Sequence, residues 1–172
     1  MGRLQMEAKV YWVANDSLGR LGIMPRPRGG DWLEDEIRSL QFAGVDVLIS
    51  LLTEPEIEEL DLIEEPELCS RDGIEFLSFA MPDRGVPAVD PDAARFFGEL
   101  MARLRERKTV VVHCRMGIGR SALVAACLLV GTGATAAQAF QLIAQARGCP
   151  VPDTPEQRAW VDSYAKHLTQ NE

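Results

Sequence analysis

Residues 45–52, Val-Asp-Val-Leu-Ile-Ser-Leu-Leu, are apolar at every position except Asp46 and Ser50. A run this short and this uniformly apolar lacks the alternation of a strand that shows one face to water. It predicts a central parallel strand covered on both faces. Parallel neighbours can be reached only through crossover connections, which are usually helices. The feature therefore points to an α/β fold: a mainly parallel twisted sheet of about five strands with helices on both faces.

The rest of the chain supplies elements that suit this frame. Residues 9–13 and 21–24 are short apolar stretches on either side of Asn15-Asp16-Ser17-Leu18-Gly19, which predicts a hairpin at one edge. Pro25-Arg26-Pro27-Arg28-Gly29-Gly30 breaks the pattern. Asp31 followed by Glu34 then reads as a capping box opening a helix to about Phe42, which Gly44 closes. Residues 54–67 scatter Ile57, Leu60, Leu62 and Ile63 among many carboxylates, the pattern of short amphipathic helices with a solvated acidic face. Residues 74–79 predict a strand, and Asp90-Pro91 an N-cap and first-turn proline for a helix to about Glu106. Residues 109–113 form a β-branched strand. From Ser121 the sequence Ala-Leu-Val-Ala-Ala-Cys-Leu-Leu-Val is helix-prone and apolar on every side, hence a buried helix ended by Gly131 and Gly133. Two further helices are expected over residues 135–147 and 154–168.

Composition limits the function classes. With 172 residues and 47% hydrophobic content the chain suits one core, and a single domain over residues 1–172 is expected. Cys69, Cys114, Cys127 and Cys149 show no paired spacing, and the two histidines lie far apart, so neither disulfides, a metal nor a cofactor is indicated. Cys69, Cys127 and Cys149 read as packing residues. A net charge of -8 disfavours binding to nucleic acid or to an anionic membrane surface. The longest purely apolar run, residues 122–130, is too short to cross a bilayer, and no basic segment precedes an apolar core at the N-terminus. A cytoplasmic protein is expected.

The chemistry is concentrated in His113-Cys114-Arg115-Met116-Gly117-Ile118-Gly119-Arg120-Ser121. Here a cysteine follows a strand, an arginine precedes a buried helix, and five residues separate them. Gly117 and Gly119 can take positive φ at no steric cost, so successive N–H groups of residues 115–120 can turn inward as an anion nest at a helix N-terminus. The same donors stabilise a thiolate, which makes Cys114 the expected nucleophile. Arg120 can offer two parallel N–H donors to a phosphoryl group, which a lysine could not do equally well. Ser121 is placed to donate its hydroxyl to the sulfur, and His113 to hold the loop. Arg84 and Arg115 would add positive potential near the phosphate, and Arg26 and Arg28 would rim the cleft.

These residues resemble the signature of the protein tyrosine and dual-specificity phosphatases: His, Cys, five residues, Arg, then Ser or Thr. Pro82-Asp83-Arg84-Gly85-Val86-Pro87 looks like that family's general-acid loop, and residues 117–130 are similar to its compact, kinase-associated branch. The resemblance implies a phosphotyrosine phosphatase-like fold and hydrolysis of phosphotyrosine, with phosphoserine and phosphothreonine left open, through a phosphocysteine on Cys114. It implies Asp83 as general acid and then general base, and a phosphorylated protein or peptide as partner. Gln157 matches a glutamine that orients water in relatives, yet Thr154-Pro155-Glu156-Gln157 is equally a capping box. Asp153 stands where some relatives carry a second glutamine. Rhodaneses commonly have a loop one residue shorter. A phosphoinositide or other small phosphomonoester is an alternative substrate, although Met116 and Ile118 supply none of the lysines common in the lipid-directed loops. A noncatalytic phosphoprotein-binding module is the alternative of another class, and it would be favoured by loss of the cysteine, arginine or acid.

Overall fold

A computed structural model describes residues 8–13, 18–88 and 91–170. Its frame is one five-stranded sheet in the order β1-β2-β5-β3-β4, built from β1 (Tyr11–Val13), β2 (Leu21–Pro25), β3 (Val47–Ser50), β4 (Glu75–Ser78) and β5 (Val110–Cys114). The pairs β2/β5, β5/β3 and β3/β4 are parallel, and only β1 runs antiparallel, against β2 at the edge. The predicted mainly parallel sheet is thus observed. The turn placed on Asn15, Asp16 and Ser17, and the N-cap placed on Asp90, lie outside the described residues.

Because side chains alternate along a strand, the sheet feeds two cores. Ile23, Val47, Ile49, Val110 and Val112 face helices α4 (Pro91–Arg105), α5 (Arg120–Gly131), α6 (Ala136–Arg147) and α7 (Pro155–Gln170). Met24, Leu48 and Val111 face α1 (Leu33–Phe42) and α3 (Glu65–Arg71). Helix α5 is buried from Arg120 to Leu129, as its all-apolar sequence requires. Helix α7 starts on the expected reciprocal cap of Thr154 with Gln157, and α6 on a second one, Thr135 with Gln138, which the sequence did not single out.

The start of α1 differs from expectation. Gly30 takes φ +62, its N–H is held by Asp61 O, and residues Gly30–Trp32 form a single 3-10 turn. Asp31 is consumed in that turn, Trp32 becomes the N-cap without a side-chain cap, and Glu34 pairs with Arg38 at 3.0 Å. The acidic stretch also departs in part from the solvated acidic face expected of it. It forms α2 (Glu54–Glu59) and α3 as predicted, but Glu56 and Glu65 turn inward and are buried. Each meets a basic group from the β5–α5 segment, which makes burial of the charge tolerable.

Strand β5 is central and ends on Cys114, whose partner across β2 is Pro25, while His113 lies opposite Ser50 of β3. The connection from β5 to α5 therefore opens in the crevice beyond the carboxyl ends of three parallel strands, where α/β sheets bind ligands.

Candidate active site

The loop of residues 115–119 leaves β5 and turns directly into α5. Gly117 sits at φ +71, and a Cβ there would lie 2.6 Å from the carbonyl carbon of Met24 and 2.7 Å from Pro25 N. The close approach of loop and β2 backbone accordingly needs glycine on both counts. The Gly117 N–H donates to Cys114 Sγ at 3.3 Å. Cys114 is buried at the floor of the loop. Ile118 packs against the core, and Met116 points into solvent. Ser121 is fully buried, and its Oγ has no hydrogen-bond partner among the described residues.

Arg120 is 1% exposed and heavily engaged. Its Nη1 and Nη2 donate to the two carboxylate oxygens of Glu56 at 2.7 and 2.9 Å, and Nη1 also donates to Met81 O at 2.9 Å. Nη2 reaches Asp83 Oδ1 at 3.3 Å. Nε has no protein acceptor among the described residues, so the donors left to an incoming anion are Nε–H and the Nη2 edge where Asp83 now sits. Burial alone would lower the Arg120 pKa, but the Glu56 hydrogen bond and the Coulombic influence of Cys114, Glu56 and Asp83 outweigh it and raise it. Burial likewise pushes the Glu56 carboxyl up, and the bonds from Arg120 and from Thr53 N–H more than reverse this, bringing it to about 2.

Asp83 occupies a tight turn in which Gly85 N–H donates to Pro82 O at 2.8 Å and Arg84 adopts φ +59. Its side chain is 56% exposed, at the mouth of the loop. Behind the loop, His113 Nε2 and Glu65 Oε1 are 2.6 Å apart, with both side chains essentially out of solvent. Gln157 is also buried. Its Oε1 accepts from Asp153 N and Thr154 N, while Nε2 donates to Gly85 O at 3.1 Å, tying the first turn of α7 to the Asp83 turn. A Cβ on Gly119 would come within 2.6 Å of Asp153 Oδ2 and 3.1 Å of the Gln157 amide, so both side chains lie against the loop.

The arginines expected around the phosphate are dispersed. Arg115 turns outward to Glu59 at 2.8 Å, and Arg84 is exposed at its turn. Arg26 is joined to the loop through its N–H, which donates to Arg115 O at 3.2 Å. Arg28 donates to buried Glu36 at 2.6 Å and stacks over Trp32. Arg26, Arg28 and Trp32 line an open cleft of about 410 Å³ together with Glu59, Leu60 and Asp61. The structure thus brings Cys114, Arg120, Asp83 and the glycines together. It adds Glu56 and Glu65, and Arg147, whose guanidinium donates to Met116 O and Gly117 O of the loop, none of which the sequence singled out. The Thr53–Glu56 capping box marks the start of α2 in the sequence, but it does not mark Glu56 as a buried partner of Arg120.

A family model described as "Polymorphic toxin system, DSP-PTPase phosphatase" matches residues 22–134, from β2 through the end of α5. The chain belongs to this DSP-PTPase phosphatase family. The phosphatase is 27% identical over 146 residues to the cyclin-dependent kinase inhibitor 3 of Sus scrofa, spanning 81% of this chain and 68% of that protein. It is 26% identical over 143 residues to its Homo sapiens counterpart, spanning 80% and 67%. Among solved structures it superposes on kinase associated phosphatase bearing a cysteine-to-serine substitution at the catalytic site, with a TM-score of 0.86, 22% identity, and coverage of 96% and 98% of the two chains. It also superposes on PTPMT1 in complex with PI(5)P, with a TM-score of 0.73, 20% identity and coverage of 88% and 93%. At these identities the structural matches establish the fold. No helix among the described residues is long and apolar enough to cross a membrane.

Proposed function

We propose that the phosphatase hydrolyses phosphotyrosine in proteins or peptides through a phosphocysteine formed on Cys114. The observation that carries this reading is the loop itself: Cys114 Sγ beneath the Gly117 N–H, with Arg120 fixed beside it by Glu56. In the first step the Cys114 thiolate attacks phosphorus, and the bond to the leaving oxygen breaks. The loop N–H groups and the Arg120 Nε–Nη2 edge take up the equatorial phosphoryl oxygens. Binding there displaces Asp83 from Nη2, and protonated Asp83 gives its proton to the leaving phenolate. In the second step the Asp83 carboxylate takes a proton from water, the water oxygen attacks phosphorus, and the P–S bond breaks to restore the thiolate and release phosphate. Ser121 Oγ, buried beside the loop without a partner among the described residues, supports the reading of a hydroxyl held for the departing sulfur. Gln157 acts as cap and as anchor of the Asp83 turn, and one Nε2–H remains to meet the water. The domain spanning residues 1–172 is taken to act in the cytoplasm on a soluble phosphoprotein, without nucleic acid or stable membrane association.

The test is the pH dependence of aryl phosphate hydrolysis, without added metal, by the wild type and by Cys114→Ser, Arg120→Lys and Asp83→Asn. The wild type is expected to give a mildly acidic bell. Cys114→Ser should abolish activity, Arg120→Lys should lower kcat/KM by about 100-fold or more, and Asp83→Asn should lose the basic limb with a fall of roughly 100-fold or more in kcat. Full activity in Cys114→Ser would sink the mechanism. A wild type inactive on phosphotyrosine peptide but active on PI(5)P vesicles would replace the substrate class.

A further inference from the structure

Arg147, the last residue of α6, meets the phosphate loop from outside. Its Nη2 donates to Met116 O at 3.2 Å and its Nε to Gly117 O at 3.3 Å. The Tyr11 ring of β1 stacks on the same guanidinium, 4.2 Å from ring centre to its carbon, and restrains it. A trans peptide unit points its C=O and N–H in opposite directions. The unit joining Met116 to Gly117 therefore has Arg147 on its oxygen and Cys114 Sγ on its N–H. The next unit has its oxygen held outward in the same way, which turns the Ile118 N–H toward the inside of the loop.

We propose that Arg147 is a positioning residue of the phosphate loop, holding two peptide oxygens away from the anion so that their N–H groups face it. The inference rests on the phosphatase reading of Cys114. An anion nest works only if every peptide oxygen is turned out, and a carbonyl rotated inward would repel both thiolate and phosphate. A charged donor on the Met116 oxygen also polarises that peptide, so the N–H on the sulfur becomes a stronger donor. Arg147 thus acts on Cys114 through one peptide unit without touching substrate. Its planar fork spans two successive oxygens, which the single ammonium of lysine cannot match.

The experiment is site-resolved alkylation of Cys114 by iodoacetamide at pH 6, with inorganic phosphate as protectant, alongside urea unfolding. In the wild type Cys114 should react ahead of Cys69, Cys127 and Cys149, and phosphate should protect it. Arg147→Met should slow Cys114 alkylation roughly tenfold and raise the half-protecting phosphate concentration about tenfold, with an unfolding midpoint close to wild type. Arg147→Lys should recover part of both, to about threefold below wild type. Wild-type alkylation and protection in Arg147→Met overturn the inference while leaving the phosphatase reading in place. Should Arg147→Met not fold, wild-type behaviour of Arg147→Lys overturns it and the threefold loss supports it. A wild-type Cys114 that is neither preferentially reactive nor protected by phosphate removes the phosphatase reading, and this inference with it.

Discussion

A guanidinium withdrawn from water must have its charge answered within hydrogen-bond distance, and Glu56 answers that of Arg120 through both carboxylate oxygens. The carboxylate is itself fixed by the Thr53 backbone N–H and hydroxyl, so Arg120 is oriented before any phosphate arrives. Such fixing lowers the cost of orienting the group during reaction. Glu56→Gln keeps the shape of this support and removes its charge. We expect the variant to lose about 2–3 kcal/mol of stability in urea unfolding and roughly 10- to 100-fold in kcat/KM on an aryl phosphate. The second loss follows because Asp83 becomes the strongest remaining partner of Arg120 and holds the edge that phosphate needs. Wild-type kcat/KM in Glu56→Gln would show that Arg120 needs no such support.

At the scale of elements, the phosphate loop depends on how closely its backbone passes the end of β2. Gly117 combines positive φ with neighbours that are backbone atoms, which cannot rotate away. Gly119 has ordinary φ -89, and an added methyl would meet the side chains of Asp153 and Gln157. Gly117→Ala should therefore cost about 1–3 kcal/mol of stability and weaken inhibition by inorganic phosphate more than tenfold. Gly119→Ala should perturb phosphate inhibition less, because the Asp153 side chain can move. Equal effects of the two in an inhibition assay would contradict this account. The same contrast separates what could be read in the sequence from what could not. Strand β5, the loop and helix α5 are contiguous, and their apolar runs and glycines announce them directly. Glu56 and Glu65 are two carboxylates in a stretch full of them, and their basic partners lie 64 and 48 positions away. Nothing local distinguishes an inward carboxylate from a solvated one until the fold brings that partner near. The start of α1 was obscured similarly, since the Gly30 turn is set by Asp61 O from beyond α2.

For the whole molecule, the Arg120–Glu56 pair and the two cores make opposite demands on pH. Glu56 has an ordinary pKa of 4.5 and is brought to about 2 in the fold, where the bonds from Arg120 and Thr53 prevail over burial. Its contribution is present above pH 4.5 and is lost as pH falls toward 2, because the unfolded chain takes up the proton first. The buried apolar groups act at the other end. Burial, aided by the charges of Glu65 and Asp72, pushes the Cys69 thiol from 9.0 to about 12. Burial also pushes the Tyr164 phenol from 10.0 to about 12 and the Cys127 thiol well above its usual value. Each favours the folded state only while the unfolded group is still protonated, so these contributions are lost as pH rises from 9 toward 12. Cys69 belongs to the core under α1 and α3, whereas Cys127 belongs to the opposite core and Tyr164 packs against it. Both faces of the sheet should therefore give way on the alkaline side, and the Arg120–Glu56 support on the acid side. Urea midpoints measured across pH should show a plateau between about pH 5 and 9 with a fall on each side. Glu56→Gln should flatten the acid limb between pH 4.5 and 2, and Cys69→Ala should lower the plateau while reducing the slope above pH 9. An acid limb of unchanged slope in Glu56→Gln would mean that the acid sensitivity arises away from the phosphate site, and that the Arg120–Glu56 pair does not govern folding there.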